Sequence, residues 1–349
     1  MNEGWTTWLQ RRIMNRIEGV SHDMDLDAIG GVHRLEQDVN LLDKSLTSLY
    51  LALGDGDPDE SYSSVPYEKG FHLLYTLERM VGEEVFLELV TAYLQKFAYG
   101  TITSEEFKEF CISFWQKTRP DAYIKLKAFD WDSWIYDEGM PPLPEFNKTL
   151  ADAAESLAAA WVDFDDGKIF NPPIANIDKW SSAQKLCFLD ALLKLVQDER
   201  KEGSKNLEIS TLKLFDNAYG FQRSRNAEIL FRYCMLAVQS EDQDVYPIVI
   251  HFVSSQGRMK YIRPLYRAMF ASLSSRDIAV DTFLKNKEFY HPIATKLIAY
   301  DLTRTMGQEK GFMDAVRKRC FSVKLTSPPV VAGIVAAAIG ALVLTRPKK

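Results

Sequence analysis

Apolar residues recur every three or four positions along most of the chain, and this spacing predicts amphipathic helices. In the N-terminal part the pattern predicts helices over residues 5–17, 67–80 and 86–97. Thr103, followed three residues later by Glu106, has the signature of a capping box and predicts the start of a further helix. Sustained alternation of apolar and polar residues is not found, so the sequence predicts a mostly α-helical protein without a clear strand.

A glycine- and proline-rich segment interrupts this pattern at Gly139, Pro141, Pro142 and Pro144, and it predicts a linker between two domains. Beyond the linker the pattern predicts eight helices of similar length, over residues 149–162, 181–199, 207–219, 227–239, 245–255, 258–273, 275–286 and 291–306. Short turns between helices of this length favour helix pairs stacked as an α-solenoid, although no sequence repeat of fixed period is present.

Composition and charge narrow the class of protein. A formal net charge of −6 and 26% charged residues are typical of a globular protein and argue against nucleic acid as a partner. The four cysteines are far apart, which favours free thiols in a reducing compartment such as the cytoplasm. The N-terminal residues contain no continuous apolar stretch, so they predict no signal peptide.

The C-terminal segment Val330–Leu344 is apolar and uncharged, with basic residues on both sides. As a helix, fifteen residues would rise about 22 Å, against a hydrocarbon core of about 30 Å. The segment is therefore of marginal length for a membrane anchor, and a buried helix is the competing interpretation. A helical interaction protein anchored by this tail remains one alternative for function.

The stretch Asp57–Phe71 holds the most informative candidate side chain. Pro66 restricts the backbone immediately before Tyr67 and predicts that this tyrosine lies at a helix start. A phenol in that place can donate a hydrogen bond to an oxyanion that develops on a carbonyl carbon. A tyrosine that only packs and caps the helix is the simpler interpretation of the same pattern.

Several segments, in order, resemble the leukotriene A4 hydrolase and aminopeptidase B family of zinc metalloaminopeptidases. They are NEG (2–4), YSSVPYEKGF (62–71), FAYGTITSEEFKEF (97–110), WIYDEGMPP (134–142) and QGRMKYIRPLY (256–266). The similarity covers roughly residues 1–304. It implies the helical lobe of a thermolysin-like catalytic domain over residues 1–145 and an armadillo-like helical domain over 146–306. Residues 307–349 would then form a basic linker and the apolar tail.

The resemblance also implies roles for individual residues in the N-terminal part. Glu3 matches the glutamate that binds zinc, and Tyr67 matches the tyrosine that stabilises the tetrahedral intermediate of peptide hydrolysis. Tyr62 matches a tyrosine near the lipid epoxide substrate. Asp59 matches the aspartate that directs water attack on that lipid, which favours the hydrolase side of the family.

In the C-terminal part, the resemblance assigns Arg258 and Lys260 to the binding of the substrate's carboxylate. A planar guanidinium can hold a carboxylate through two hydrogen bonds, and a lysine two residues away adds a second positive charge. A solvated basic surface on a helix is the alternative for both residues.

Two motifs that the family requires are absent from the sequence. A catalytic zinc of this class needs an HExxH motif, and none of the five histidines has a histidine four residues further on. The GxMEN exopeptidase motif is absent as well. We therefore expect this chain to be the C-terminal portion of such an enzyme, truncated after HExxH and inactive by itself, with zinc bound in the full-length family enzyme. Such a portion should expose apolar surface, for which Trp5, Trp8 and Leu9 are candidates.

Overall fold

The computed structural model describes residues 2–19, 23–51, 63–198 and 206–304. These residues form α-helices and short 3-10 turns, and no strand occurs among them. The predicted mostly α-helical fold is therefore confirmed. The helices in chain order are α1 (Asn2–Glu18), α2 (Asp23–Leu41), α3 (Val65–Val81), α4 (Glu83–Phe97), α5 (Ser104–Thr118), α6 (Pro120–Lys127), α7 (Trp131–Ile135), α8 (Thr149–Asp165), α9 (Ser182–Asp198), α10 (Ile209–Tyr219), α11 (Ala227–Gln239), α12 (Tyr246–Ser255), α13 (Met259–Ala271), α14 (Arg276–Asn286) and α15 (Pro292–Arg304).

Local sequence signals set several helix ends. Helix α3 has Pro66 in its first turn, where a missing N–H leaves no hydrogen bond unmade, and Gly82, with a positive φ of 93°, caps its C-terminus. At the start of α5 the side chain of Thr103 accepts from the backbone N–H of Glu106, and the Glu106 carboxylate accepts from the N–H of Thr103. The predicted capping box is therefore present.

Helix α2 has no counterpart among the helices predicted from the sequence. Its middle holds Gly30 and Gly31, and each glycine inside a helix costs about 1 kcal/mol relative to alanine. Gly31 has a packing role, because a Cβ there would collide with the carboxylate of Glu68 and come within 3.1 Å of the guanidinium of Arg11. The helix forms through tertiary packing against α1 and α3 rather than through local preference.

The described residues group into two compact units. The first lies within Met1–Leu207 together with Leu214–Gly220. Its core includes large buried side chains from α1, α3, α4, α5 and α7, namely Trp8, Phe71, Leu74, Phe86, Phe107, Trp115 and Trp134. Within the same unit, α2 also packs against α8 and α9. The domain limits at residues 145 and 306 stay a prediction.

The second unit lies within Glu208–Lys213 and Phe221–Lys349. Helix α13 is central to it and packs against α11, α12, α14 and α15. The buried hydroxyls of Tyr266 and Tyr290 are 2.9 Å apart, and Tyr290 donates to the carbonyl of Val253. Asp301 of α15 accepts hydrogen bonds from Arg263 and Arg267 of α13. These contacts fix the orientation of α13, whose N-terminus carries Arg258 and Lys260.

The expectation that Trp8 belongs to an exposed apolar surface is wrong. Trp8 is 1% exposed, and its indole N–H donates to Glu78 at 2.7 Å. Trp5 is half-buried and stacks on Tyr93 with ring centroids 4.9 Å apart. Leu9 is exposed as expected, and it shares one side of α1 with three further exposed apolar residues, Ile13, Met14 and Ile17. We call these four residues the α1 outer face.

None of the helices in the part of the chain that the structure describes is long and apolar enough to span a membrane. The predicted apolar tail, Val330–Leu344, lies outside the described residues.

Candidate functional site

Glu3 lies in the first turn of α1 and is half-buried. It lines a cavity of about 350 Å³ together with aromatic residues that α1, α4 and α5 supply, namely Trp5, Tyr93 and Phe107. Asn2, Thr103 and Ser104 add polar groups to the same lining.

Helix α1 approaches α3 so closely that backbone meets backbone. A Cβ added to Gly4 would lie 2.6 Å from the Cα of Gly70, and a Cβ added to Gly70 would lie 2.9 Å from the Cα of Gly4. Gly4 directly follows Glu3, and Gly70 is three residues beyond Tyr67. The glycine of the NEG segment is therefore required because it lets the helix that carries Glu3 cross the helix that carries Tyr67.

Tyr67 is half-buried in the first turn of α3, as Pro66 predicted, and its backbone N–H donates to the carbonyl of Ser64 at 3.1 Å. The next residue, Glu68, is 4% exposed and anchors the turn. Its carboxylate accepts two hydrogen bonds from Arg11, at 2.9 and 2.7 Å, and one from Arg34 at 2.8 Å. Burial raises the pKa of Glu68, but the two guanidinium groups outweigh it and hold the pKa below its usual value.

Lys69 anchors the same turn from the other side. Its ammonium is fully buried and donates to three backbone carbonyls, those of Thr47, Asp137 and Gly139, at 3.0, 2.7 and 3.1 Å. Burial lowers the pKa of Lys69 to about 8. The two residues after Tyr67 thus tie the first turn of α3 to α1, to α2 and to the WIYDEGMPP segment.

The described residues do not by themselves fit a zinc ion. A catalytic zinc takes three protein ligands, and no group of three His, Cys, Asp or Glu side chains that could hold a metal occurs within residues 2–19, 23–51, 63–198 and 206–304. Glu3 offers one carboxylate.

Two of the sequence-predicted residues, Asp59 and Tyr62, lie outside the described residues. Their assignment to a lipid epoxide site stays a prediction.

Arg258 and Lys260 lie at the start of α13, where Arg258 is the N-cap residue and Lys260 belongs to the first turn. Both are exposed. Their charged groups flank one aromatic ring, since the guanidinium carbon of Arg258 is 5.7 Å and the Lys260 Nζ 5.0 Å from the ring centroid of Tyr261. Cations at these distances from a tyrosine ring gain an attraction of about 0.5–1 kcal/mol at exposed sites.

Sequence reasoning missed Glu228 of α11, which contacts Lys260. One of its oxygens, Oε1, accepts from Lys260 Nζ and from the Tyr261 hydroxyl, the latter at 2.6 Å. The other, Oε2, accepts from Arg232 at 3.1 Å. Partial burial raises the pKa of Glu228, but the hydrogen bonds from Lys260 and Tyr261 outweigh it and lower the pKa to about 2. Lys260 lies 32 residues beyond Glu228 in the sequence, so no local spacing could have predicted the contact.

Comparison with known protein families gives two matches along the chain. Residues 1–134 match the family model described as the peptidase family M1 domain. Residues 180–302 match the model described as leukotriene A4 hydrolase, C-terminal. Glu3 and Tyr67 fall in the first match, and Glu228, Arg258 and Lys260 fall in the second.

Individual relatives agree with these matches. The chain is 37% identical over 309 residues to leucine aminopeptidase 2 of Ajellomyces capsulatus, covering 88% of this chain and 48% of that protein. It is 36% identical over 306 residues to leukotriene A-4 hydrolase of Xenopus laevis, covering 86% and 48%. The solved structure of leukotriene A4 hydrolase from Saccharomyces cerevisiae superimposes with a TM-score of 0.73 at 31% identity, covering 86% of this chain and 49% of that one. The chain thus spans about half the length of the relatives it matches.

Proposed function

Because the chain belongs to the leukotriene A4 hydrolase family of M1 peptidases, we propose that it forms the substrate-binding part of a zinc aminopeptidase and supplies one metal ligand. In this proposal Glu3 is the ligand, Tyr67 hydrogen-bonds the oxyanion of the tetrahedral intermediate, and Arg258 with Lys260 receives the substrate's carboxylate. The reaction is the removal of N-terminal residues from peptides. Hydrolysis of a lipid epoxide that carries a carboxylate is the second candidate reaction, and it depends on Asp59 and Tyr62.

The observation that carries the proposal is the contact between Gly4 and Gly70. Two helices that touch through glycine backbones keep the residues beside the crossing in a fixed relation, and those residues are Glu3 and Tyr67. If Tyr67 had only a packing role, the two residues after it, Glu68 and Lys69, would not need to anchor the first turn of α3. The exposed Arg258, which has no ion-pair partner among the described residues, supports the carboxylate-binding part of the proposal.

We also propose that this 349-residue chain does not hydrolyse peptides by itself. One carboxylate cannot hold zinc at useful affinity, and without HExxH the sequence has neither the two histidine ligands nor the general base between them. The further donors must come from polypeptide other than this sequence. Residence in the cytoplasm is part of the same proposal and follows from the cysteine usage.

The carboxylate-binding part can be tested directly on the chain with a matched pair of ligands. The probe is the tripeptide Ala-Ala-Ala, and its control is the same peptide with a C-terminal amide, which lacks the negative charge. Saturation-transfer NMR measures the affinity of both. The proposal expects the free acid to bind at least about tenfold more tightly than the amide, which corresponds to about 1.4 kcal/mol. In Arg258→Ala this preference should be lost. Equal binding of acid and amide by the parent chain would contradict the proposal.

A further inference from the structure

A second cleft, of about 610 Å³, lies between helix α2 and the segment that leads into helix α8. Its apolar lining comes from both sides, namely Ile29 and Val32 of α2 and Leu143, Pro144 and Phe146 of the segment. All of these residues belong to the first compact unit, and none of them lines the cavity beside Glu3. Its volume and largely apolar walls are those of a small-molecule site. We call it the α2–α8 cleft.

Contacts to α2 and α3 hold the segment that forms the second wall. The backbone N–H of Asn147 donates to Asp25 of α2 at 2.8 Å, and the same carboxylate accepts from the hydroxyl of Tyr75 at 2.6 Å. The ring of Phe146 is parallel to that of Tyr75, with centroids 6.5 Å apart, and the guanidinium carbon of Arg79 lies 5.9 Å from it. The cleft is therefore preformed, and a ligand does not have to order this wall.

Two opposite charges line the same cleft without neutralising each other. Glu145 and Lys148 are both exposed, and within the part of the chain that the structure describes neither side chain forms an ion pair or a hydrogen bond. Lys148 is also the N-cap residue of α8, and the positive end of a helix dipole favours an anion nearby. The cleft thus offers one group for an anion, one group for a cation, and apolar walls.

We propose that the α2–α8 cleft binds a free amino acid with a large apolar side chain, whose carboxylate contacts Lys148 and whose ammonium contacts Glu145. A zwitterion of this kind carries all three features that the cleft accommodates. An apolar carboxylic acid would leave Glu145 without a partner, and an apolar amine would leave Lys148 without one. Phe146 adds an aromatic wall, which favours an aromatic side chain. Free amino acids are also what the proposed peptidase reaction releases, but the inference rests on the cleft and not on that function.

Four small probes test the class of ligand on the purified chain by saturation-transfer NMR. L-phenylalanine is the ligand, and L-phenylalaninamide, 3-phenylpropanoic acid and glycine each lack one of its three features. At about pH 6 the amino groups are protonated and the carboxylates ionised. We expect L-phenylalanine to bind with a Kd of about 1–10 mM, in keeping with its small size. Each of the other three should bind at least about threefold more weakly.

Charge variants then assign the two ends of the ligand. Lys148→Gln should weaken the binding of L-phenylalanine at least about threefold, but not that of L-phenylalaninamide, which has no carboxylate. Glu145→Gln should weaken the binding of L-phenylalanine, but not that of 3-phenylpropanoic acid, which has no ammonium. The matched controls Lys117→Gln and Glu109→Gln, at exposed residues of α5, should change neither affinity.

A further pair of variants locates the ligand. Val32→Trp narrows the cleft and should abolish the binding of L-phenylalanine, whereas Arg258→Ala should leave it unchanged. The unfolding midpoint in urea shows whether Val32→Trp is folded, and if it is not, the two exposed charge variants decide alone. The proposal is overturned if the parent chain does not bind L-phenylalanine, if it binds 3-phenylpropanoic acid equally well, or if Arg258→Ala removes binding. None of these results affects the tripeptide preference that tests the proposed function.

Discussion

Gly4 of α1 and Gly70 of α3 touch through their backbones, so neither position has room for a side chain. This contact sets the distance between α1, whose first turn contains Glu3, and α3, whose first turn contains Tyr67. The candidate site thus depends on two residues that carry no functional group.

Gly4→Ala should push the two helices apart. The added Cβ would lie 2.6 Å from backbone atoms of Gly70, which cannot rotate away as a side chain could. We expect the free energy of unfolding to fall by about 1–3 kcal/mol, the usual effect of overpacking. Gly30→Ala is the matched control, since a Cβ there meets nothing closer than the flexible end of Arg34 at 3.7 Å and should be neutral or mildly stabilising. Equal urea midpoints for Gly4→Ala and the parent would refute the close approach.

Glu68 should be essential for the stability of the first turn of α3. In Glu68→Gln the buried Arg11 loses its counter-charge, and breaking a buried pair in this way costs about 3–5 kcal/mol. The control is Glu88→Gln, which removes an exposed ion pair with Arg119 and should change stability far less. Urea denaturation followed by circular dichroism measures both, and similar effects from the two substitutions would contradict the account.

His72 should make the protein sensitive to mild acid. It is fully buried, neither ring nitrogen has a hydrogen-bond partner among the described residues, and burial lowers its pKa to about 3. The folded state therefore keeps the imidazole neutral, whereas the unfolded chain protonates it near pH 6.5. The resulting stability is fully present above pH 6.5 and is lost as the pH falls towards 3, by up to about 1.4 kcal/mol per pH unit.

The test of this pH dependence compares His72→Leu with the parent between pH 7 and 4. The leucine variant should lose stability less steeply, and at pH 7 it should be no less stable than the parent, because an unpaired buried polar group is replaced by an apolar one. His33→Gln, at an exposed histidine of α2, is the control and should keep the parent's slope. Identical slopes for His72→Leu and the parent would show that the imidazole is not desolvated.

Local sequence motifs predict most of the helices, but they do not predict which other helices pack against them. The start of α3 at Pro66 and the capping box at Thr103 depend on residues within three or four positions, and both could be predicted. Helix α2 could not, because its glycines disfavour a helix locally and Gly31 makes sense only once Glu68 and Arg11 are seen beside it. The prediction that Trp8 is exposed is wrong for the same reason. The spacing of apolar residues does not show which neighbouring helix packs on them.

Some residues of the candidate site could likewise be predicted from the sequence, and others could not. Glu3, Tyr67, Arg258 and Lys260 could be proposed from short motifs, because each motif lies within a few residues. The partner of Lys260 could not, since Glu228 reaches it from a different helix. A charge two residues from Arg258 suggested two ligand-binding cations, whereas the structure pairs one of them internally.

The α1 outer face should limit the solubility of the isolated chain. Its residues Leu9, Ile13, Met14 and Ile17 are 50%, 48%, 40% and 71% exposed and share one side of a helix. Ile13→Lys combined with Ile17→Glu should raise the monomeric fraction in size-exclusion chromatography with light scattering. Leu273→Lys, at an exposed leucine beyond α13, should have a smaller effect. A parent chain that stays monodisperse at high concentration would count against this prediction.

The most direct test of the central claim is an aminopeptidase assay of the purified 349-residue chain on alanyl and arginyl chromogenic amides with added zinc. The account predicts no turnover above that of the Glu3→Gln variant, because Glu3 offers a metal only one carboxylate and the sequence lacks HExxH. Zinc-dependent hydrolysis by the parent chain that Glu3→Gln abolishes would contradict the account, because it would require this sequence to complete a catalytic metal site by itself.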